Sequence, residues 1–108
     1  RILALASPSG SCNNNNAGID LVTGKLTTRS FHGAVLRSGT HGDVFGTAVP
    51  SAETLTCGTP TASNTAVVQS LSTAWLADEL AGTTTAAWYP GGSSYQALVS
   101  AGTIATLP

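Results

Sequence analysis

The sequence predicts an α+β fold, a mainly antiparallel β-sheet with one amphipathic helix at about residues 65–81 packed on one face. Three observations lead to this prediction. Residues 64–82 carry large apolar side chains at helical spacing. Short apolar runs elsewhere are bounded by Gly, Pro and Asn, which is typical of strands joined by turns. The 108 residues show no repeat and no linker, so we expect a single domain spanning residues 1–108.

The helix is predicted from the stripe that its apolar residues form. These residues recur at intervals of three or four, with neighbours that widen the stripe: Val67, Val68, Leu71, Trp75, Leu76 and Leu80. Asn64 is expected to cap the first turn through its side-chain oxygen, and Gly82 to end the helix in the left-handed conformation. Burial of the stripe against the sheet would contribute on the order of 10 kcal/mol before conformational entropy is subtracted.

Several strands are predicted before the helix. Residues 1–7 are apolar on both sides, which indicates a central strand, and residues 8–18 should form an irregular loop anchored by Cys12. Residues 19–31 are expected to form a hairpin with its turn at Thr23 and Gly24. Further strands are predicted at residues 33–38, 44–49 and 54–57, with a polar turn between Arg37 and Val44.

A second hairpin is predicted after the helix. Its strands would be residues 83–89 and 93–100, joined by a turn in which Pro90 and Gly91 occupy the two central positions. The alternative is one or two helical turns at residues 95–102. Residues 101–108 are expected to add a last short strand.

The charge content is unusually low for a soluble domain. Only 8% of the residues are charged, against about 25% in an average domain, and the net charge is −1. A surface of Thr, Ser, Asn, Gly and Ala with little self-repulsion favours association. Two interpretations remain open, namely a secreted domain solvated by hydroxyl groups and a subunit buried in a polymer or lattice.

The few charges are also unevenly placed along the chain. Residues 1–43 contain four basic and two acidic residues, whereas residues 44–108 contain three acidic residues and no basic one. A head-to-tail contact between copies would pair these opposite signs.

Composition also bears on partners and location. Four scattered cations cannot neutralise a row of phosphates, so no nucleic-acid partner is expected. No apolar run is long enough for a membrane span. The absence of an initiating Met suggests that an upstream segment has been removed, and a leader would place the chain outside the cytoplasm, at an extracellular site or a cell or virion surface.

Cys12 and Cys57 are too far apart in sequence for a CxxC redox or metal pair. We predict a disulfide between them, and the alternative is two unrelated buried thiols. A loop of this length would gain about 4 kcal/mol from the cross-link in the chain-entropy model. Such a bond belongs in an oxidising compartment.

No catalytic, cofactor or metal site is predicted. His32 and His41 flank the strand at residues 33–38, with Asp43 beyond, and a nucleophile would have to come from Ser30, Ser38 or Cys57. Neither a nucleophile elbow nor a phosphate-binding loop accompanies them. Zinc and calcium sites need closer groups of ligands than the chain offers, and Asp78 and Glu79 diverge on a helix.

Trp88, Tyr89 and Tyr95 form a possible ligand-stacking set, because aromatic faces pack on the apolar faces of sugars. Trp75 belongs to the helix stripe and is expected in the core. The chain has no N-x-[ST] sequon, so that only O-linked sugars remain open.

The sequence therefore favours a structural subunit of an extracellular filament or a virion surface, assembling with copies of itself or a partner structural subunit. Its architecture resembles the globular part of a pilin, but it lacks the long apolar N-terminal helix through which pilins polymerise. The possible assembly face is the outer side of the helix, with Gln69, Ser70, Thr73 and Ala77. The alternatives are a secreted carbohydrate-binding module and a small secreted hydrolase that uses His32 or His41.

The cysteine prediction has a direct check. Mass spectrometry without reductant should show Cys12 and Cys57 linked, because a loop-closing bond is the simplest use of two distant cysteines. Two free thiols in protein prepared without reductant would contradict both the bond and the oxidising compartment.

Overall fold

A computed structural model describes residues 1–25, 31–45, 54 and 56–107 of the chain. This part contains three strands, β1 (Ile2–Ala6), β2 (Phe31–Leu36) and β3 (Ile104–Thr106). It also contains helices α1 (Ala17–Lys25), α2 (His41–Phe45), α3 (Ala62–Ala81) and α4 (Ser93–Ser100), and 3₁₀ turns at Ser11–Asn16 and Ala86–Trp88. The fold is therefore a small mixture of helices and strands, as the sequence predicts in outline.

The sheet differs from the prediction in its pairing. Its order is β1-β2-β3, with β1 parallel to β2 and β2 antiparallel to β3, so it is a mixed sheet of three strands and not mainly antiparallel. The connection between β1 and β2 contains α1 and is longer than the dozen residues that a parallel pair needs for its crossover. Among the described strands β1 lies at an edge, although its two apolar sides predicted a central position.

The hairpin predicted at residues 19–31 is wrong, because residues 19–25 belong to α1. The Thr23 hydroxyl donates to the carbonyls of Ile19 and Asp20, at 3.0 and 3.1 Å, and so satisfies its polar group inside the helix. Asp20 in the first turn and Lys25 in the last turn suit the helix dipole. Residues 26–30 of the predicted hairpin lie outside the described residues.

Two other predicted strands are corrected in the same way. Val44 and Phe45 form the end of α2, while the rest of the strand predicted at residues 44–49 lies outside the described residues. Thr54, Thr56 and Cys57 have helical backbone where a strand was predicted at 54–57. In both places β-branched residues suggested strands, and the weak intrinsic preference of such residues does not prevent a short helix.

The hairpin predicted at residues 83–100 is also wrong, although its turn is correctly placed. The Gly92 N–H donates to the carbonyl of Tyr89 at 2.8 Å, and Gly91 has φ +91°, as expected for a turn with Pro90 and Gly91 at its centre. This turn joins the 3₁₀ turn Ala86–Trp88 to α4. The alternative prediction of helical turns at residues 95–102 is confirmed for residues 95–100, which belong to α4, whereas residues 101 and 102 form a turn.

Helix α3 covers the predicted segment and begins a few residues earlier. Its N-cap is Thr61, whose side-chain oxygen accepts from the N–H of Asn64 at 3.3 Å. Asn64 is thus a buried residue inside the first turn, and the prediction that it caps the helix is wrong. Gly82 ends the helix with φ +63°, which confirms its predicted left-handed conformation.

The core lies between α3, α4 and one face of the sheet. It contains Ala34, Leu36, Val68, Leu71, Tyr95 and Ile104. Only part of the predicted helix stripe is buried, because Leu76 and Leu80 are 46% and 82% exposed. A helix of this length spans about 30 Å, whereas strands of three to six residues span about 10–20 Å. The last turns of α3 therefore extend past the sheet.

Two further contacts fix the frame of the fold. The Tyr95 hydroxyl donates to the carbonyl of Gly33 at 2.6 Å in the core, which ties α4 to β2. The disulfide between Cys12 and Cys57 is present, as predicted, and links the first 3₁₀ turn to the segment before α3. Within the described ranges, no helix is long and apolar enough to cross a membrane.

We expect Gly33→Ala to lower the free energy of unfolding by about 1–3 kcal/mol through overpacking. A Cβ at Gly33 would lie 2.7 and 2.8 Å from two side-chain carbons of Leu107, and 3.3 Å from the carbonyl oxygen of Ala4. Gly24→Ala is the control, because nothing lies within 4 Å of its Cβ position in α1. Urea titration of both variants checks this, and equal stability of the two would contradict the close packing.

Candidate assembly groove

A groove of about 440 Å³ runs along the outer side of α3. All four residues of the possible assembly face, Gln69, Ser70, Thr73 and Ala77, line this groove. The remaining lining residues are Ala66, Ala74, Thr85 and Trp88. None of them is charged, and most are small.

The groove follows from the sequence of α3. Ala66, Ser70, Thr73 and Ala77 are spaced by three or four residues, which places them on one side of the helix. Short side chains at these positions leave the helix backbone close to the surface. A groove therefore forms where a neighbouring element packs beside these short side chains.

That neighbouring element is the 3₁₀ turn Ala86–Trp88, which forms the wall of the groove. The Thr85 hydroxyl donates to the carbonyl of Ala74 at 2.8 Å and fastens the turn to α3. The Trp88 N–H donates to the carbonyl of Thr85 at 2.9 Å, closing the turn. Trp88 also packs against the core, so its indole is held in place while it lines the groove.

Charged groups collect just beyond the end of the groove. Asp78 and Glu79 follow Ala77 on α3, and both form ion pairs with Arg1. The Tyr89 hydroxyl donates to Asp78 at 2.8 Å. This hydrogen bond and the one from Arg1 lower the pKa of the Asp78 carboxyl. Among the side chains at this end of α3, two carboxylates therefore stand against one guanidinium.

The three aromatic residues predicted to stack on a ligand are in different environments. Tyr95 is buried in the core. The ring of Tyr89 stacks on His32, with centroids 4.6 Å apart and an angle of 23° between the planes. Arg1 lies over the same Tyr89 ring, 5.8 Å from its centroid. Of the three, Trp88 alone lines the groove.

His32 lies on β2, whereas His41 and Asp43 lie on α2. Partial burial against Tyr89 lowers the pKa of His32, and His41 begins α2. Asp43 is fully buried, and its carboxylate accepts from the N–H groups of Thr40 and Thr61, each at 2.6 Å. Each of its two oxygens therefore accepts from a backbone donor.

Asp43 also accepts from the side-chain amide of Asn64 at 3.1 Å. Burial acts to raise the pKa of this carboxyl, but the hydrogen bonds from Thr40, Thr61 and Asn64 outweigh it and hold the pKa of Asp43 below its ordinary value. This structural role of Asp43 was not predicted from the sequence. The signal was the spacing Thr40-x-x-Asp43, which resembles the capping box at the start of a helix.

Within the described ranges, no group of three His, Cys, Asp or Glu side chains comes close enough to hold a metal ion. No protein-family model, no curated protein and no solved structure matches this chain. The described residues form a small mixed α/β protein, and its α3 helix carries an uncharged groove.

We expect Asp43→Asn to lower the free energy of unfolding at neutral pH by about 1–3 kcal/mol, because its NH₂ group would face a buried backbone donor. The lowered pKa also gives the sign of the pH dependence. The stability that the Asp43 carboxylate contributes is present above about pH 4 and is lost as the pH falls through the folded-state pKa.

Urea unfolding of the wild type and Asp43→Asn between pH 2 and 7, roughly the range over which carboxyl groups titrate, checks this. The acid loss of stability should be smaller in the variant. Asp20→Asn, at an exposed residue of α1, is the matched control and should resemble the wild type. An Asp43→Asn variant that is as stable as the wild type at neutral pH would contradict the structural role.

Proposed function

We propose that this protein is a structural subunit that assembles with further copies of itself through the α3 groove, in an extracellular filament or on a virion surface. The observation that supports this most is the uncharged groove on α3 with Trp88 in its wall. A partner that enters this groove removes no charge from water, so that burial is not opposed by charge desolvation.

The lining also suits close approach. Alanine and serine let a partner segment come near the helix backbone, while Thr73 and Gln69 offer hydrogen-bonding groups. Tryptophan is enriched among the residues that dominate binding energy at protein interfaces. The fixed position of Trp88 means that little side-chain entropy is lost when a partner packs against it.

The composition of the whole chain points the same way. With 8% charged residues and a net charge of −1, copies repel each other weakly. The Cys12–Cys57 disulfide supports a location in an oxidising compartment, where filaments and particle surfaces are exposed.

A carbohydrate-binding role has less support than assembly. Tyr95 is buried, and the ring and hydroxyl of Tyr89 are engaged by His32 and Asp78. Trp88 remains as a single stacking face beside Gln69. We propose no catalytic role, since the Asp43 carboxylate is occupied by structural hydrogen bonds.

Thr73→Arg tests the assembly proposal. Thr73 is an exposed residue of the groove, so arginine there should leave the fold intact and place a charge where a partner packs. We expect the wild type to form larger species as its concentration rises. The variant should need at least about tenfold higher concentration, a change of about 1.4 kcal/mol.

Light scattering and electron microscopy measure this, with Gln96→Arg on the exposed side of α4 as the matched control. A wild type that stays monomeric up to millimolar concentration would overturn the proposal. So would a Thr73→Arg variant that assembles like the wild type. A monomeric wild type whose binding to a glycan array is lost in Trp88→Ala would favour the carbohydrate-binding alternative instead.

A further inference from the structure

We infer that the occupant of the α3 groove is α1 of a second copy of this chain. This inference rests on the proposed function, because it names the partner of the same groove. It is drawn from three properties of α1: an exposed leucine, a length that fits the groove, and a cation at the matching end.

The outer face of α1 carries a leucine that its own fold does not cover. Ala17, Leu21 and Lys25 are spaced by four residues and lie on one side of the helix, and all three are exposed. Leu21 is 61% exposed. On another side of α1, Ile19 and Val22 line a cavity together with residues of β1.

The dimensions of α1 and of the groove agree. The nine residues of α1 span about 14 Å, which fits within the roughly 18 Å spanned by the twelve residues from Ala66 to Ala77. A helix with one large apolar side chain in its centre, flanked by alanine and glycine, packs well against a groove of small side chains. Leu21 would fill the depression beside Thr73 and Trp88.

Charge sets the direction in which α1 lies. Lys25 is in the last turn of α1, and among the described residues it forms no ion pair. The groove ends beside Asp78 and Glu79, whose two carboxylates stand against the one guanidinium of Arg1. The last turn of α3 contains no basic residue, so its free carbonyl groups add to the negative potential. Lys25 is therefore best placed at this end.

Asp20 does not oppose this arrangement. It precedes Leu21 and projects about 100° away from it around the helix, outside the face that enters the groove. The inferred contact thus pairs a basic helix end with an acidic one and buries one leucine among uncharged side chains.

The contact would join two different surfaces of the same chain. Such a contact is heterologous, so each added copy leaves one free groove and one free α1. Assembly then continues as an open chain or closes as a ring. The smallest such ring is a reciprocal dimer, in which α1 of each copy occupies the groove of the other.

A mixing experiment tests the inference. Leu21→Arg alters only α1, and Thr73→Arg alters only the groove. Each variant alone should need at least about tenfold higher concentration than the wild type to assemble. An equimolar mixture should form dimers, because Leu21→Arg supplies an intact groove and Thr73→Arg an intact α1. Growth should stop there, since the remaining surfaces each carry an arginine.

Light scattering and native mass spectrometry should identify a species with one copy of each variant. Gln96→Arg is the matched control, because Gln96 is an exposed residue of α4 that lies outside the groove lining, and it should assemble like the wild type. Lys25→Glu is a second variant of α1 that replaces no apolar side chain. It should also weaken assembly, and raised salt should weaken that of the wild type.

The outcomes separate the inference from the proposed function. If Thr73→Arg blocks assembly while Leu21→Arg and Lys25→Glu do not, α1 is not the occupant and the groove still is the site. A mixture without mixed dimers, or a Gln96→Arg variant blocked as strongly as Leu21→Arg, also overturns the inference. A wild type that stays monomeric overturns the proposed function itself.

Discussion

The buried carboxylate of Asp43 is the contact on which the arrangement of the helices depends. It accepts from the N–H groups of Thr40 and Thr61, and so holds the start of α2 against the start of α3. A lone buried charge would be costly, but these donors and the Asn64 amide replace the water that the carboxylate loses. With the start of α3 fixed, Val68 and Leu71 meet the sheet and the opposite side of the helix is left for the groove.

The elements that the sequence predicted correctly are those with a strong local signal. The spacing of Val68 and Leu71 and the glycine at 82 defined α3, and a short run that is apolar on both sides defined β1. The signal failed where short polar and β-branched residues left two structures nearly equal in energy. Thr23 is an example, because its hydroxyl donates a hydrogen bond to the carbonyl of Ile19 within α1. This β-branched residue is therefore accommodated in a helix where a strand was predicted. Pairing order failed because it depends on the path of the connections, which no local pattern contains.

One part of the candidate site was predictable from the sequence, and the other part was not. The face of α3 with Gln69, Ser70, Thr73 and Ala77 was predictable, because helical spacing alone determines which residues share a side. The wall of the groove was not predictable, because it depends on a hydrogen bond from the Thr85 hydroxyl to the carbonyl of Ala74, eleven residues earlier in the chain. Which of the aromatic residues are buried could not be predicted from the sequence either. Tyr95 became core only because residues 93–100 form a helix and not a strand, which turned its ring onto Gly33.

The disulfide has a mechanical consequence for the proposed assembly. Cys12 lies five residues before α1 begins, and Cys57 lies five residues before α3 begins. If α1 of each copy is held in the groove of the next, a pulling force enters a copy at one of these helices and leaves it at the other. The covalent bond then carries tension directly between them. The hydrogen-bonded strands of the sheet would stay outside this load path and need not resist the pull.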